Sequence, residues 1–186
     1  MAFTTFEEHD WTTNDVITAA LMDALEKRAA GARASMKASR TTDLSIASTT
    51  TSVTFDTEVY DNDSMFTAGD SDIEIQLTGI YHVLFTAAWS ASTSPSSTNY
   101  TELEISEFND PHYVELARNT TQDVQNHPAI WWNQVSYVGR IEDSTILHCR
   151  ASAPAFTGIL ENNAGGVAGD SIWATVTMLA RDPLAV

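Results

Sequence analysis

The amino-acid sequence predicts an all-β fold, an antiparallel sandwich of about eight to ten strands, preceded by an N-terminal arm and one short α-helix. Three observations carry this. Beyond residue 32, apolar and polar residues alternate at period two in segment after segment, the mark of half-buried strands. Clusters of Gly, Asn, Asp, Pro and Ser separate those segments, as turns do. Strong helix formers with matching caps occur together only within residues 13–31.

The arm, residues 1–12, carries Phe3, Phe6 and Trp11 without a clear period. Aromatic residues on an arm of this kind are expected to find a partner surface. In the helix that follows, Thr18 is the expected N-cap, with Ile17 and Met22 placed as a hydrophobic staple. Leu21 and Leu25 stack on one face, Lys27 and Arg28 complement the dipole, and Gly31 ends it. A helix of about three turns is marginal alone and calls for packing. The chain is therefore divided into 1–31, an arm and helix that anchor it, and 32–186, the sandwich.

Ala34, Met36 and Ala38 alternate with Ser35, Lys37 and Ser39 to open the sandwich, and Ile46 continues it. Ser48 to Ser52 reads as a turn. The stretch from Val53 to Trp89 organises the remainder: Val53 and Phe55 alternate with polar residues, a turn-rich passage runs from Asp61 to Asp72, Ile73, Ile75 and Leu77 share one face, and Tyr81, Val83, Phe85 and Ala87 share another beyond Gly79. Asp61, Asp63, Asp70 and Asp72 are candidate calcium ligands, since alternate carboxylates suit that ion, although Met65 and Phe66 break the EF-hand pattern. Ala-Gly-Asp-Ser occurs at 68–71 and again at 168–171. Each copy precedes a strand, so both read as turns rather than as a nucleophile elbow.

Residues 100–109 form the next strand, with Leu103 and Ile105 inward and Glu102 and Glu104 on a solvated face. A turn at Asn109–Pro111 leads into a return strand with Val114 and Leu116 inward. The strand from Ile130 to Arg140 opens on Trp131 and Trp132, which point to opposite faces; one enters the core and the other meets a partner chain or solvent. Ser144 to Ala151 and Ile172 to Ala180 complete the sheets. In the last of these, Ile172, Ala174, Val176 and Met178 form one apolar face while Trp173 and Leu179 lie on the other.

The bulk composition excludes several functions. The chain carries 25 acidic against 9 basic side chains, net −16, a field that repels phosphates and argues against nucleic-acid binding. No apolar run reaches the about 18 residues of a membrane-spanning helix, so no membrane insertion is expected. MAFTTFEEHDW has neither the basic nor the apolar region of a secretory leader. Cys149, the single cysteine, reads as a small buried residue in a strand. The linear order suggests no acid, base and nucleophile acting together. His82 and His148 read as ordinary strand residues, and a non-enzymatic domain is expected.

The ordered set Val53, Phe55 and Asp56, then Phe66, then Gly79, Tyr81 and Phe85 resembles the core of the C1q/TNF-like jelly roll. The phrase FDTEVYDNDSMF is similar to one in the C1q-like knobs of bacteriophage virion proteins, "FDTERYDTDGMH". DVITAALMDALEKRA resembles a segment that opens phage minor tail and tail-fibre proteins, with Asp23 where asparagine is usual. This resemblance implies a homotrimer with Trp173, Trp131, Trp132 and Tyr81 at its interface. It implies anchorage to other virion proteins, tail or major capsid, through Phe3, Phe6, Trp11, Leu21 and Leu25. It also implies assembly in the host cytoplasm, residence in the virion and contact with a host surface glycan, with no cofactor beyond the calcium candidates. A tail-tip or fibre knob is the first expectation and a capsid decoration protein the alternative. A carbohydrate-binding or carbohydrate-active module is the second alternative.

Overall fold

The computed structural model describes residues 34–91, 100–122, 130–154, 156–162 and 171–181. The expectations for the arm, the helix and, but for Ser171, the second Ala-Gly-Asp-Ser turn lie outside them. Twelve strands are present among the described residues: β1 (Ser35–Ser39), β2 (Leu44–Ile46), β3 (Thr51–Ser52), β4 (Thr57–Asp61), β5 (Ile73–Glu74), β6 (Gly79–Ala91), β7 (Tyr100–Asn109), β8 (His112–Gln122), β9 (Trp131–Ile141), β10 (Ile146–Ser152), β11 (Gly158–Leu160) and β12 (Ile172–Arg181). This exceeds the expected number because several strands are two or three residues long, too short to show a period. The Ser48–Ser52 turn is shorter than expected for the same reason, since Thr51 and Ser52 pair with β10.

The strands form two antiparallel sheets. The seven-stranded sheet runs β2-β11-β6-β12-β1-β4, with β9 on the other side of β6. The five-stranded sheet runs β3-β10-β7-β8, with β5 also on β10. The two sheets enclose one apolar core, filled from the first by Met36, Tyr81, Val83, Phe85, Val135, Ala174 and Val176 and from the second by Leu103, Ile105, Leu147 and Cys149. Period-two alternation produces this directly, because every second side chain of each strand points between the sheets.

The motif residues sit at the centre of that core. Phe55 lies edge-on to Phe66 at 6.3 Å and to Phe85 at 6.2 Å, a favoured aromatic arrangement. Val53 and Phe55 are not in a strand. They carry the chain from one sheet to the other: Val53 donates its N–H to Cys149 in the five-stranded sheet, and Asp56 donates to Ser39 in the seven-stranded one. Gly79 is required by proximity, since a Cβ there would stand 2.8 Å from the Ala180 carbonyl oxygen. Gly69 takes a φ of 97°, and Asp70 accepts the N–H groups of Ser71 and Asp72, as the first Ala-Gly-Asp-Ser turn predicts.

Three expectations are corrected by the packing. The resemblance puts Tyr81 and Trp131 at a subunit interface, but both share the inward parity of their strands and are enclosed by the chain's own core. The Tyr81 hydroxyl donates to the Leu77 carbonyl at 2.7 Å. Val114 is exposed rather than inward, because it lies on the edge strand opposite Glu107. The pairing is irregular between Ile105 and Ser106, and Leu116 packs against the core as expected.

Candidate functional site

The two outward faces differ in chemistry. On the seven-stranded sheet, the outward residues of β9, β6, β12 and β1 form cross-strand rows. Trp132 stands beside Ala88, and Gln134, Thr86, Trp173 and Ser39 form the next row. Ser136, Leu84, Thr175 and Lys37 follow, then Val138, His82, Thr177 and Ser35. Trp132 is 50% exposed, Val138 61% and Leu179 57%. Trp173 is half-buried, with Lys37 Nζ 5.2 Å from its ring centroid, within cation–π range. Of the four expected interface residues, Trp132 and Trp173 thus share the outward face and Trp131 and Tyr81 do not. The neighbouring edge strand β8 is exposed along most of its eleven residues, with Tyr113 and Val114 open. Edge strands of this length carry unpaired backbone donors and acceptors that attract another chain.

The outward face of the five-stranded sheet is polar and ordered. Glu104, expected on a solvated face, is 5% exposed. It is covered by two guanidinium groups that cross-strand pairing places beside it: Arg118 Nη2 donates to one oxygen at 3.0 Å and Arg150 Nη1 to the other at 2.9 Å. Ser106 also donates to it. Arg118 reaches Glu115 at 2.5 Å and Glu102 at 3.6 Å. Burial alone would weaken the charge of Arg118, but Glu102, Glu115 and Glu104 outweigh it and hold its pKa above the ordinary value. Arg150 lies over the Tyr113 ring at 3.7 Å. Alternation along β7 could not reveal this cover, which comes from arginines 14 and 46 residues away.

Beside this network, Ser52, His148 and Asp72 are linked in line. Ser52 Oγ is 2.8 Å from His148 Nδ1, and His148 Nε2 is 2.7 Å from Asp72 Oδ1. His148 is 4% exposed. Its ring stacks on Phe108, with centroids 4.9 Å apart and planes 23° apart. Sequence reading missed this group because its members are 96 and 76 residues apart. They meet only because β3 and β5 lie beside the same strand, β10. The signal available in the sequence was the outward parity of His148 and Arg150 in an otherwise apolar strand.

The four calcium candidates are not gathered. Asp61 accepts the N–H groups of Asp63 and Phe66, Asp70 serves its turn, and Asp72 holds His148. Among the described residues, no group of three or more His, Cys, Asp or Glu is placed to hold a metal ion. Burial first, and then the neighbouring Asp61, raise the Asp63 carboxyl above its ordinary pKa, against the pull of Arg181. Cys149 is fully buried, and that burial pushes its thiol pKa far up, which makes it inert as a nucleophile.

No family model matches the chain, and no curated protein matches it. Solved structures do. Murine APRIL at pH 5.0 is 12% identical, covers 79% of this chain and 99% of its own, and superposes with a TM-score of 0.57. Eiger TNF from S. frugiperda is 11% identical, covers 81% and 94%, and also gives 0.57. The globular domain of zebrafish complement 1qA matches at 12% identity over 80% and 98%, with a TM-score of 0.47. The fold is the TNF/C1q-like jelly roll.

Proposed function

We propose that the chain is a homotrimeric knob carried on the surface of a bacteriophage particle. Residues 1–31 anchor it to other virion proteins and the sandwich faces the host at the tail tip or fibre. The observation that carries self-association is the pairing of two surfaces on one chain. The outward face of the seven-stranded sheet exposes Trp132, Val138 and Leu179, and β8 presents an exposed edge. A face and an edge that differ form a heterologous contact, which closes into a ring of three when the rotation between copies is one third of a turn. Burying one large apolar side chain in it contributes about 1.5–3 kcal/mol. The phage assignment is supported by the phrase from Phe55 to Phe66, and the net charge of −16 suits a soluble surface domain.

Light scattering on the purified chain tests the assembly. The expected mass is three times the 20.3 kDa of one chain, and Trp132→Glu is expected to reduce it to one. A stable wild-type monomer at micromolar concentration overturns the trimer. Antibody labelling of particles tests the placement. Label at the tail end supports the knob, label on the head makes it a capsid decoration protein, and unlabelled particles overturn the virion assignment.

A further inference from the structure

The Ser52, His148 and Asp72 side chains lie on the outward face of the five-stranded sheet, remote from the apolar face of the other. We propose that they form a nucleophilic-serine site that cleaves small carboxylic esters, with Ser52 as nucleophile and His148 as general base. Three features of the geometry support this. The Asp72 carboxylate can only accept, so the bond to Nε2 fixes the proton there. Nδ1 is then the acceptor for the Ser52 hydroxyl at 2.8 Å, the arrangement a general base needs. The imidazole is held in place by stacking on Phe108 and by Tyr113 at 5.5 Å.

A donor for a developing oxyanion is also at hand. The Tyr113 hydroxyl is 3.4 Å from Ser52 Oγ. The Arg150 guanidinium covers the Tyr113 ring at 3.7 Å, and Arg150 is the cross-strand partner of Ser52. A phenol donor with a cation at its back stabilises negative charge beside the serine. Access is open: Ser52 is half-buried and the Asp72 side chain is 43% exposed. The side-chain relay is not needed to hold the backbone. Ser52 already pairs with Arg150, Ile73 with Leu147, and Val53 donates to Cys149 at 2.8 Å.

In the reaction, Ser52 Oγ bonds to the ester carbonyl carbon as its proton passes to His148 Nδ1. The carbon–oxygen bond to the alcohol then breaks, and His148 returns the proton to the departing alcohol. Water repeats the sequence on the acyl-serine, releasing the acid and restoring the hydroxyl.

The experiment treats the full-length protein with diisopropyl fluorophosphate, in which the serine oxygen displaces fluoride from phosphorus. Adducts are followed by intact mass and peptide mapping, and p-nitrophenyl acetate hydrolysis is measured in parallel. One adduct per chain, mapped to Ser52, is expected. Asp72→Asn keeps a hydrogen-bonding side chain but no longer fixes the tautomer, and it is expected to slow labelling and hydrolysis by about 10²- to 10⁴-fold with the melting curve unchanged. Mapping on the wild type keeps the test valid if Ser52→Ala fails to fold. An unlabelled Ser52 in the folded wild type, or Asp72→Asn labelling as fast as the wild type, overturns the proposal and leaves the relay a purely structural tie.

Discussion

Asp56 shows how single side chains hold the junction between the sheets. Its carboxylate accepts the Thr41 N–H at 2.8 Å and the Thr41 hydroxyl at 3.0 Å, with the Thr57 hydroxyl at 3.1 Å. Burial alone would raise its pKa. The Thr41 and Thr57 hydrogen bonds and the Arg40 charge outweigh burial and hold it below the ordinary value. A carboxyl depressed in the folded state contributes stability above its unfolded pKa of about 3.9. That contribution fades as pH falls through the lower folded value. Asp56→Asn is therefore expected to destabilise the protein at neutral pH and to flatten its loss of stability below about pH 4. Urea midpoints measured across that range check it; identical acid limbs for variant and wild type would contradict the assignment. Glu104 carries a related lesson, since a carboxylate on the outward face of a strand is buried when neighbouring strands bring arginines over it.

At the scale of elements, the backbone of β6 and β12 is packed closely enough that one methyl group matters. A Cβ at position 79 would meet the Ala180 oxygen at 2.8 Å and the Met178 Cε at 3.1 Å. The methionine can yield, but the carbonyl belongs to the paired strand. Gly79→Ala is expected to cost about 1–3 kcal/mol, the range for overpacking a well-filled interior, read as a shifted denaturation midpoint at unchanged slope. The long strands were legible in the sequence because their alternation is written in local order: residues 100–109 coincide with β7, and Trp131 and Trp132 divide between core and surface. The short strands β3 and β11 were not, since two or three residues carry no period. The Ser52–His148–Asp72 relay and the covered Glu104 were illegible for a different reason. Both depend on which strands lie beside β10 and β7, and strand order is set by the whole chain. Trp131 and Tyr81 were misplaced because the resemblance suggested a role for aromatics that the inward parity of their strands already excluded.

For the whole molecule, the position of β1 decides where the chain can be cut. β1 lies between β12 and β4 inside the seven-stranded sheet, with Met36 and Ala38 in the core. Ala34 before it is buried, and its carbonyl accepts the Met178 N–H at 2.8 Å. A truncation that removes β1 would open the sheet beside its closing strand, whereas one beginning at Ala32 leaves every one of these contacts intact. The truncated chain 32–186 is therefore expected to fold, to melt cooperatively and to associate through Trp132, Val138 and Leu179 as proposed for the full chain. It would lack Phe3, Phe6, Trp11, Leu21 and Leu25, the residues proposed to seat it on the particle. Each large side chain so buried is worth about 1.5–3 kcal/mol, and three arms bound together multiply the effect through effective concentration. Losing them is expected to abolish incorporation into particles while leaving the mass of the free trimer at three chains. Light scattering and particle incorporation, measured side by side, check the two halves separately. A truncated chain that no longer folds would put residues 1–31 in the sandwich itself, and one that incorporates normally would move the anchor onto the knob.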